Sequence, residues 1–429
     1  MSSYYINGCK PLQGEVMISG SKNAALGIIA AAMLLDGSCV IENAPHISDV
    51  SVLLSICRDL GATVTLNANH SLTIDPRTIT TCEAVSTKVR SIRASYYLQG
   101  ALLGRFHKAV LSLPGGCNFG TRPIDQHVKG FEAMGVKVSI AHGNIEMSAD
   151  TFHGDHIYLD IASVGATINL MIAAVKAQGV TVIENAAREP HIVDVANFLN
   201  TMGANIKGAG TDVIRITGVE ALPGGPSYSI IPDQIEAGTY MIAAAATRGD
   251  VVVRNIIPKH MEPLSVKLEE MGVQTQSGDD WFRVWTDGQA VLSKTTFKTL
   301  PYPGFPTDLQ PQTTVLLCTA TGISRMYETV WENRFQYVDE LKLMGADISV
   351  AERVALISGP CQLTGARIMA RDLRAGAAMV LAGLVANGET EVYNIEVIER
   401  GYEHLVEKLS ALGADIRAVY DQEKPSVVF

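Results

Sequence analysis

Six times along this chain an amphipathic stretch ends in an apolar residue, then Gly, then Ala or Val: Leu60-Gly61-Ala62, Met134-Gly135-Val136, Met202-Gly203-Ala204, Met271-Gly272-Val273, Met344-Gly345-Ala346 and Leu412-Gly413-Ala414. A glycine closing an apolar helical face marks a helix C-terminus, where the chain turns with a left-handed φ that Gly takes without strain. Gly61 and Gly272, Gly135 and Gly345, and Gly203 and Gly413 are each separated by about 210 residues, so the six sites form two sets of three. The chain therefore reads as two halves, each of three units of about seventy residues. A chain of 429 residues exceeds what one core holds, which fits such a division.

Within a unit the order also repeats. Ala166 to Val175 is almost wholly apolar and leads through a Gly turn to the β-branched run Val180 to Glu184; Gly238 to Ala246 leads in the same way to Val251 to Arg254. Helices apolar all round are buried on every side, so three per half pack together at the centre with sheets outside them. The expected class is α/β: an inside-out α/β barrel with two similar domains of three repeat units each. The turn-rich Pro223-Gly224-Gly225-Pro226-Ser227 marks a joint, and the last unit stops before strands that the others possess. Tyr4 to Gly8 matches Val354 to Gly359, so the N-terminus supplies what the last unit lacks. The expected domains are 22–229, which carries Cys117, and 1–21 plus 230–429. Two chain crossings, near Ser21 and Ser229, would then flank a hinged cleft.

Composition narrows the functional classes. With 34 Lys and Arg against 44 Asp and Glu the net charge is -10, which argues against a nucleic-acid binder acting by bulk electrostatics. The longest apolar run, Ala24 to Leu35, is short of the ~20 residues of a membrane span, and no basic-then-apolar leader opens the chain, so no membrane partner and a cytoplasmic location are expected. Seven cysteines without CxxC or Cys/His spacing suggest reduced thiols, and no metal or cofactor is expected.

Departures from the repeat carry the chemistry. Leu113-Pro114-Gly115-Gly116-Cys117-Asn118-Phe119-Gly120-Thr121-Arg122 puts a thiol in a glycine-rich loop with a nearby cation that favours its thiolate; the same run is compatible with an ordinary surface turn. Lys22 heads an otherwise apolar helix, where the helix N-terminus already attracts anions. Arg90 and Arg93, Arg371 and Arg374, and Asp308 occupy corresponding helix starts in other units, a set suited to a small polyanion. Asp308, after Pro303-Gly304-Phe305-Pro306-Thr307, reads equally as a helix N-cap or as a general base. His127 and His191 have no metal spacing and read as ordinary polar groups beside the cleft.

Eight motifs, in order and spread over essentially the whole chain, resemble the UDP-N-acetylglucosamine enolpyruvyl transferase family: Ser21-Lys22-Asn23-Ala24-Ala25-Leu26, Lys88 to Ser95, Leu113 to Cys117, Ser163 to Thr167, Glu184 to Pro190, Phe305 to Asp308, Glu332 to Phe335 and Arg400-Gly401-Tyr402. The resemblance implies the enolpyruvyl transferase fold and transfer of the enolpyruvyl group of phosphoenolpyruvate to the 3′-hydroxyl of UDP-N-acetylglucosamine with release of phosphate, the first committed step of peptidoglycan synthesis. By position it implies that Lys22 and Arg122 hold phosphoenolpyruvate, with Arg334, Arg374 and Arg400 completing a cationic cluster. Asn23, Arg93, the run Arg122, Pro123, Ile124, Asp125 and Gln126, then Ser163, Val164, Gly165, Asp308 and Val330 would face the nucleotide sugar. It makes Cys117 the general acid, open to alkylation by fosfomycin, and Asp308 the acceptor of the hydroxyl proton. Where the family often has lysine, Ile161 stands here, which predicts weaker contact with the UDP phosphates. A monomer is expected, since two halves already form the site. The sister enzyme acting on shikimate 3-phosphate shares the Gly-Ser-Lys start but lacks the Pro-Gly-Gly-Cys loop, and a silent nucleotide-sugar binder would need neither acid nor base.

Overall fold

The computed structural model describes residues 2–69, 71–113, 124–287 and 291–421. Cys117, Arg122 and Pro123 lie outside the described residues. The chain divides into two compact units, one from Met1–Ser19 and Pro232–Ser426, the other from Gly20–Cys117 and Thr121–Ile231.

Each of the six described sheets has four strands and is built by one rule. The strand that follows an apolar helix takes a short parallel neighbour on one side and an antiparallel neighbour on the other, and that neighbour pairs with the strand that follows the amphipathic helix. Thus Val180–Glu184 lies parallel to His156–Tyr158 and antiparallel to Val213–Thr217, which pairs with Asn205–Lys207. In the first unit Ser3–Asn7 fills the inner position between Glu389–Tyr393 and Asp415–Val419, with Tyr5 opposite both Glu391 and Arg417. The six glycines that punctuate the repeat all have positive φ, from 83° at Gly135 to 110° at Gly203, and each sits one residue past a helix C-cap. The periodic glycine is thus a stereochemical requirement of the turn.

The apolar helices lie where their composition puts them. In the first unit Gln234–Ala246, Gln310–Cys318 and Leu373–Val385 pack on one another, and almost every residue is buried. In the second, Lys22–Ala32 packs against Tyr97–Phe106, which packs against Val164–Ala174. Each unit has its own core, with the sheets around these helices. This is the inside-out α/β arrangement.

The crowding around those helices fixes another set of glycines. Gly218, Gly359 and Gly8 each stand at the end of the inner antiparallel strand of their sheet, against the carbonyl of an alanine just past the end of an apolar helix. A Cβ on Gly218 would lie 1.7 Å from Ala177 O, on Gly359 2.2 Å from Ala320 O, and on Gly8 2.3 Å from Ala386 O. Backbone oxygens cannot swing aside, so Gly218→Ala should destabilise the protein by an amount near the top of the about 1–3 kcal/mol typical of overpacking. Urea denaturation reads this directly; an unchanged midpoint would mean that the strand end shifts without cost.

Candidate active site

In the second unit the predicted residues gather at helix starts. Ser21 caps Lys22–Ala32 by accepting from Ala24 N–H at 3.4 Å. Lys22, next in the chain, extends its ammonium to Asp49 at 2.8 Å, and both side chains are nearly buried, at 12% and 6% exposure. Asp49 stands in the first turn of Ser48–Asp59, so its charge also complements that helix start. The sequence reading did not single out Asp49; a carboxylate opening the amphipathic helix that follows Lys22 was the available signal. Asn23 follows Lys22 in the same first turn, and the helix touches the turn Arg93–Tyr96 that Arg93 opens.

Ser163 caps Val164–Ala174 by accepting from Ala166 N–H at 3.3 Å, placing Val164 and Gly165 at the open helix end. Ile124 precedes the helix Asp125–Ala133. Gln126 is buried and spans to Asp160, whose N–H it accepts at 2.9 Å and whose carboxylate it meets at 3.1 Å. Ile161 is 59% exposed beside it and offers an apolar surface where a cation would serve an anion better.

The two histidines, expected from sequence to be polar groups without a metal role, are both buried, at 5% and 8% exposure. His127 Nδ1 lies 3.0 Å from Asn169 Nδ2, and Asn169 in turn reaches Gln99 Oε1 at 3.1 Å and accepts from Gly100 N–H at 2.8 Å. Burial first, and then the Arg93 charge, lower the His127 pKa to about 4, so the ring is neutral at physiological pH. The Asn169 amide nitrogen can only donate, so Nδ1 accepts and the ring proton sits on Nε2, facing the Gly165 backbone.

In the first unit a carboxylate sits between two buried cations. Asp308 lies in the turn Thr307–Leu309 just before Gln310–Cys318. Neither that turn nor the helix has a side-chain cap; instead Asp308 meets Arg334 Nη2 at 3.5 Å and Arg374 at 3.2 Å (Nε) and 3.1 Å (Nη2). The N-cap alternative is thereby set aside. Asp308 is 31% exposed on its side chain, whereas Arg334 and Arg374 are at 2% and 5%. Arg374 follows the cap of Leu373–Val385, where Asp372 accepts from the Arg374 and Ala375 N–H groups at 2.8 and 3.0 Å. Arg400, partly buried, precedes Gly401 and Tyr402.

Val330 is fixed by a residue that sequence did not single out. Glu328, buried, accepts from the Val330 and Trp331 N–H groups at 2.8 and 3.0 Å, from Thr299 at 3.0 Å and from Thr307 at 2.8 Å. One carboxylate thereby ties the Val330 loop to the turn that carries Asp308. Among the described residues no cluster of three or more His, Cys, Asp or Glu could hold a metal, and no helix is long and apolar enough to cross a membrane.

A buried guanidinium pair facing one partly exposed carboxylate, at a helix start, suits chemistry on a small anion that needs a base. Solved structures share the fold: the enolpyruvyl transferase NikO from Streptomyces tendae aligns with a TM-score of 0.88 at 28% identity over 97% of this chain and 99% of that one. An EPSP synthase from Acinetobacter baumannii aligns at 0.77 and 19% identity over 98% and 100%. Residues 6–409 match the family model described as EPSP synthase (3-phosphoshikimate 1-carboxyvinyltransferase), which places the chain in the enolpyruvyl transferase class. Among its relatives are "UDP-N-acetylglucosamine 1-carboxyvinyltransferase 3" of Caldanaerobacter subterraneus subsp. tengcongensis, 55% identical over 97% of this chain and 99% of the relative, and "UDP-N-acetylglucosamine 1-carboxyvinyltransferase" of Halothermothrix orenii, 55% identical over 98% and 100%. Within that class, this chain belongs to the UDP-N-acetylglucosamine 1-carboxyvinyltransferase family.

Proposed function

We infer that the protein transfers the enolpyruvyl group of phosphoenolpyruvate to the 3′-hydroxyl of UDP-N-acetylglucosamine and releases phosphate, the step that commits the sugar to peptidoglycan. The observation that carries this is identity of about half the residues with enzymes of that name over nearly their full lengths.

The reaction needs a proton on the terminal methylene carbon of the donor while the sugar hydroxyl attacks the central carbon, then reversal of the proton movements to expel phosphate. A neutral acid and a carboxylate base suffice. Cys117 is the proposed acid and Asp308 the proposed base. Lys22, Arg122, Arg334, Arg374 and Arg400 would neutralise the donor's carboxylate and phosphate, where fixed cations cost no reorganisation during reaction. Asn23, Arg93, Ile124 to Gln126, Ser163 to Gly165 and Val330 are the proposed contacts to the nucleotide sugar, Pro123 included with its loop. The domain bounds 22–229 and 1–21 plus 230–429, a cytoplasmic location and a monomer belong to the same proposal.

The family model's own description supports a second reading, with shikimate 3-phosphate as acceptor. Phosphate release from phosphoenolpyruvate with each acceptor separates them. Release with UDP-N-acetylglucosamine alone is expected; release with shikimate 3-phosphate alone, or with neither, would overturn the proposal.

A further inference from the structure

The apolar helices of the first unit are interrupted at one level, where four buried polar side chains meet: Thr239 on Gln234–Ala246, Gln312 on Gln310–Cys318, Arg374 on Leu373–Val385, and Tyr402. The Thr239 hydroxyl donates to Ile235 O, one turn back, at 2.8 Å. With its one proton spent there, Thr239 Oγ1 accepts from the Tyr402 hydroxyl, 2.9 Å away. Gln312 Nε2 donates to the same phenol oxygen at 3.0 Å. The phenol is fixed in rotation: its proton points to Thr239 and its lone pairs point away.

Arg374 lies over this ring, its Cζ 5.4 Å from the centroid, where ring face and phenol oxygen both favour a cation. The guanidinium is therefore held from behind. Its Nη1 is buried and makes no hydrogen bond. The Nε–Nη2 edge is occupied by Asp308, the partly exposed member of the group.

We propose that Tyr402 is a positioning residue: with Thr239 and Gln312 it locks Arg374 so that the Nε–Nη2 edge can exchange the Asp308 carboxylate for an anionic oxygen of phosphoenolpyruvate. Donor binding then frees Asp308 to act as base. This rests on the reading that Arg374 contacts the donor. Without the lock, the guanidinium loses its fixed plane, and the bidentate geometry that distinguishes it from a point charge is lost with it.

The test is steady-state kinetics of Tyr402→Phe, which keeps the ring and removes the wired oxygen. The KM for phosphoenolpyruvate should rise on the order of tenfold, as for loss of a hydrogen-bonded support to a charged group. The KM for UDP-N-acetylglucosamine should stay within about twofold and kcat within about threefold. A purely structural tyrosine would lower the active fraction and the melting temperature without separating the two KM values, and that result overturns the proposal. Arg374→Lys is the reference: if it leaves the phosphoenolpyruvate KM unchanged, the underlying reading of Arg374 fails. If it raises that KM and Tyr402→Phe does not, only the positioning role fails. The double variant should be no worse than Arg374→Lys alone; additive losses count against the proposal. Should Tyr402→Phe misfold, Gln312→Met removes the same support from another helix and carries the same expectation.

Discussion

Asp308→Asn is expected to lower kcat by a factor of about 10²–10⁴, the range that a positioned general base contributes. The amide keeps the size of the carboxylate and can still accept from one guanidinium, so the turn Thr307–Leu309 should persist. What it loses is the capacity to take a proton from the sugar hydroxyl. The two arginines share this carboxylate, at 3.1 to 3.5 Å. On the proposed reading, a donor molecule that satisfies the arginines with its own oxyanions would release the carboxylate, and Asp308 would become available only when the donor is bound. The replacement also turns an amide NH2 toward one of two cationic donors, an unfavourable contact worth about 1–3 kcal/mol. A modest fall in melting temperature should therefore accompany the kinetic loss. Retention of more than about a tenth of the parent kcat would remove Asp308 from the base role and leave it as a charge partner of Arg334 and Arg374.

What sequence could and could not reveal follows from how far each signal reaches. The fold was legible because its signals are local: the positive φ at Gly61 and its five equivalents is set within one turn, and helices such as Val164–Ala174 and Leu373–Val385 are apolar over most of their length. Lys22 was legible because a charge at the head of an apolar helix breaks a repeat. Its partner Asp49 was not, since nothing in Ser48–Asp59 alone says which residue that carboxylate meets. Asp308 was ambiguous for a related reason, because the same short polar residue before a helix caps or catalyses according to where its side chain points, and only the structure aims it at Arg334 and Arg374. Long-range polar partners escaped entirely. Thr239 and Tyr402 are separated by 163 residues, and Glu328 gathers Thr299, Thr307 and Val330 from separate turns. The burial of His127 was equally out of reach, since nothing in the first turn of Asp125–Ala133 alone says that Asn169 and Gln99 close over the ring.

Cys117→Ser should cost as much as loss of the base, about 10²–10⁴ in kcat, while the affinity for UDP-N-acetylglucosamine changes little. The argument is one of acidity. A thiol of ordinary pKa ~8.5 is mostly protonated at neutral pH yet gives up its proton readily, whereas a serine hydroxyl is a far weaker acid and a far poorer donor to carbon. In the proposed site Arg122, five residues on in the sequence, would pull the thiol toward its thiolate in the free enzyme. Phosphoenolpyruvate brings several negative charges, which push the proton back onto sulfur when it is needed there. The alkaline limb is therefore expected to move: the decline of kcat/KM at alkaline pH, which reports the free enzyme, should lie lower than the decline of kcat, which reports the complex. In the serine variant both alkaline declines should vanish along with most of the rate. Stopped-flow measurement of phosphate release across pH reads both effects. A variant that retains kcat within about tenfold of the parent, with the alkaline decline intact, would show that another group supplies the proton.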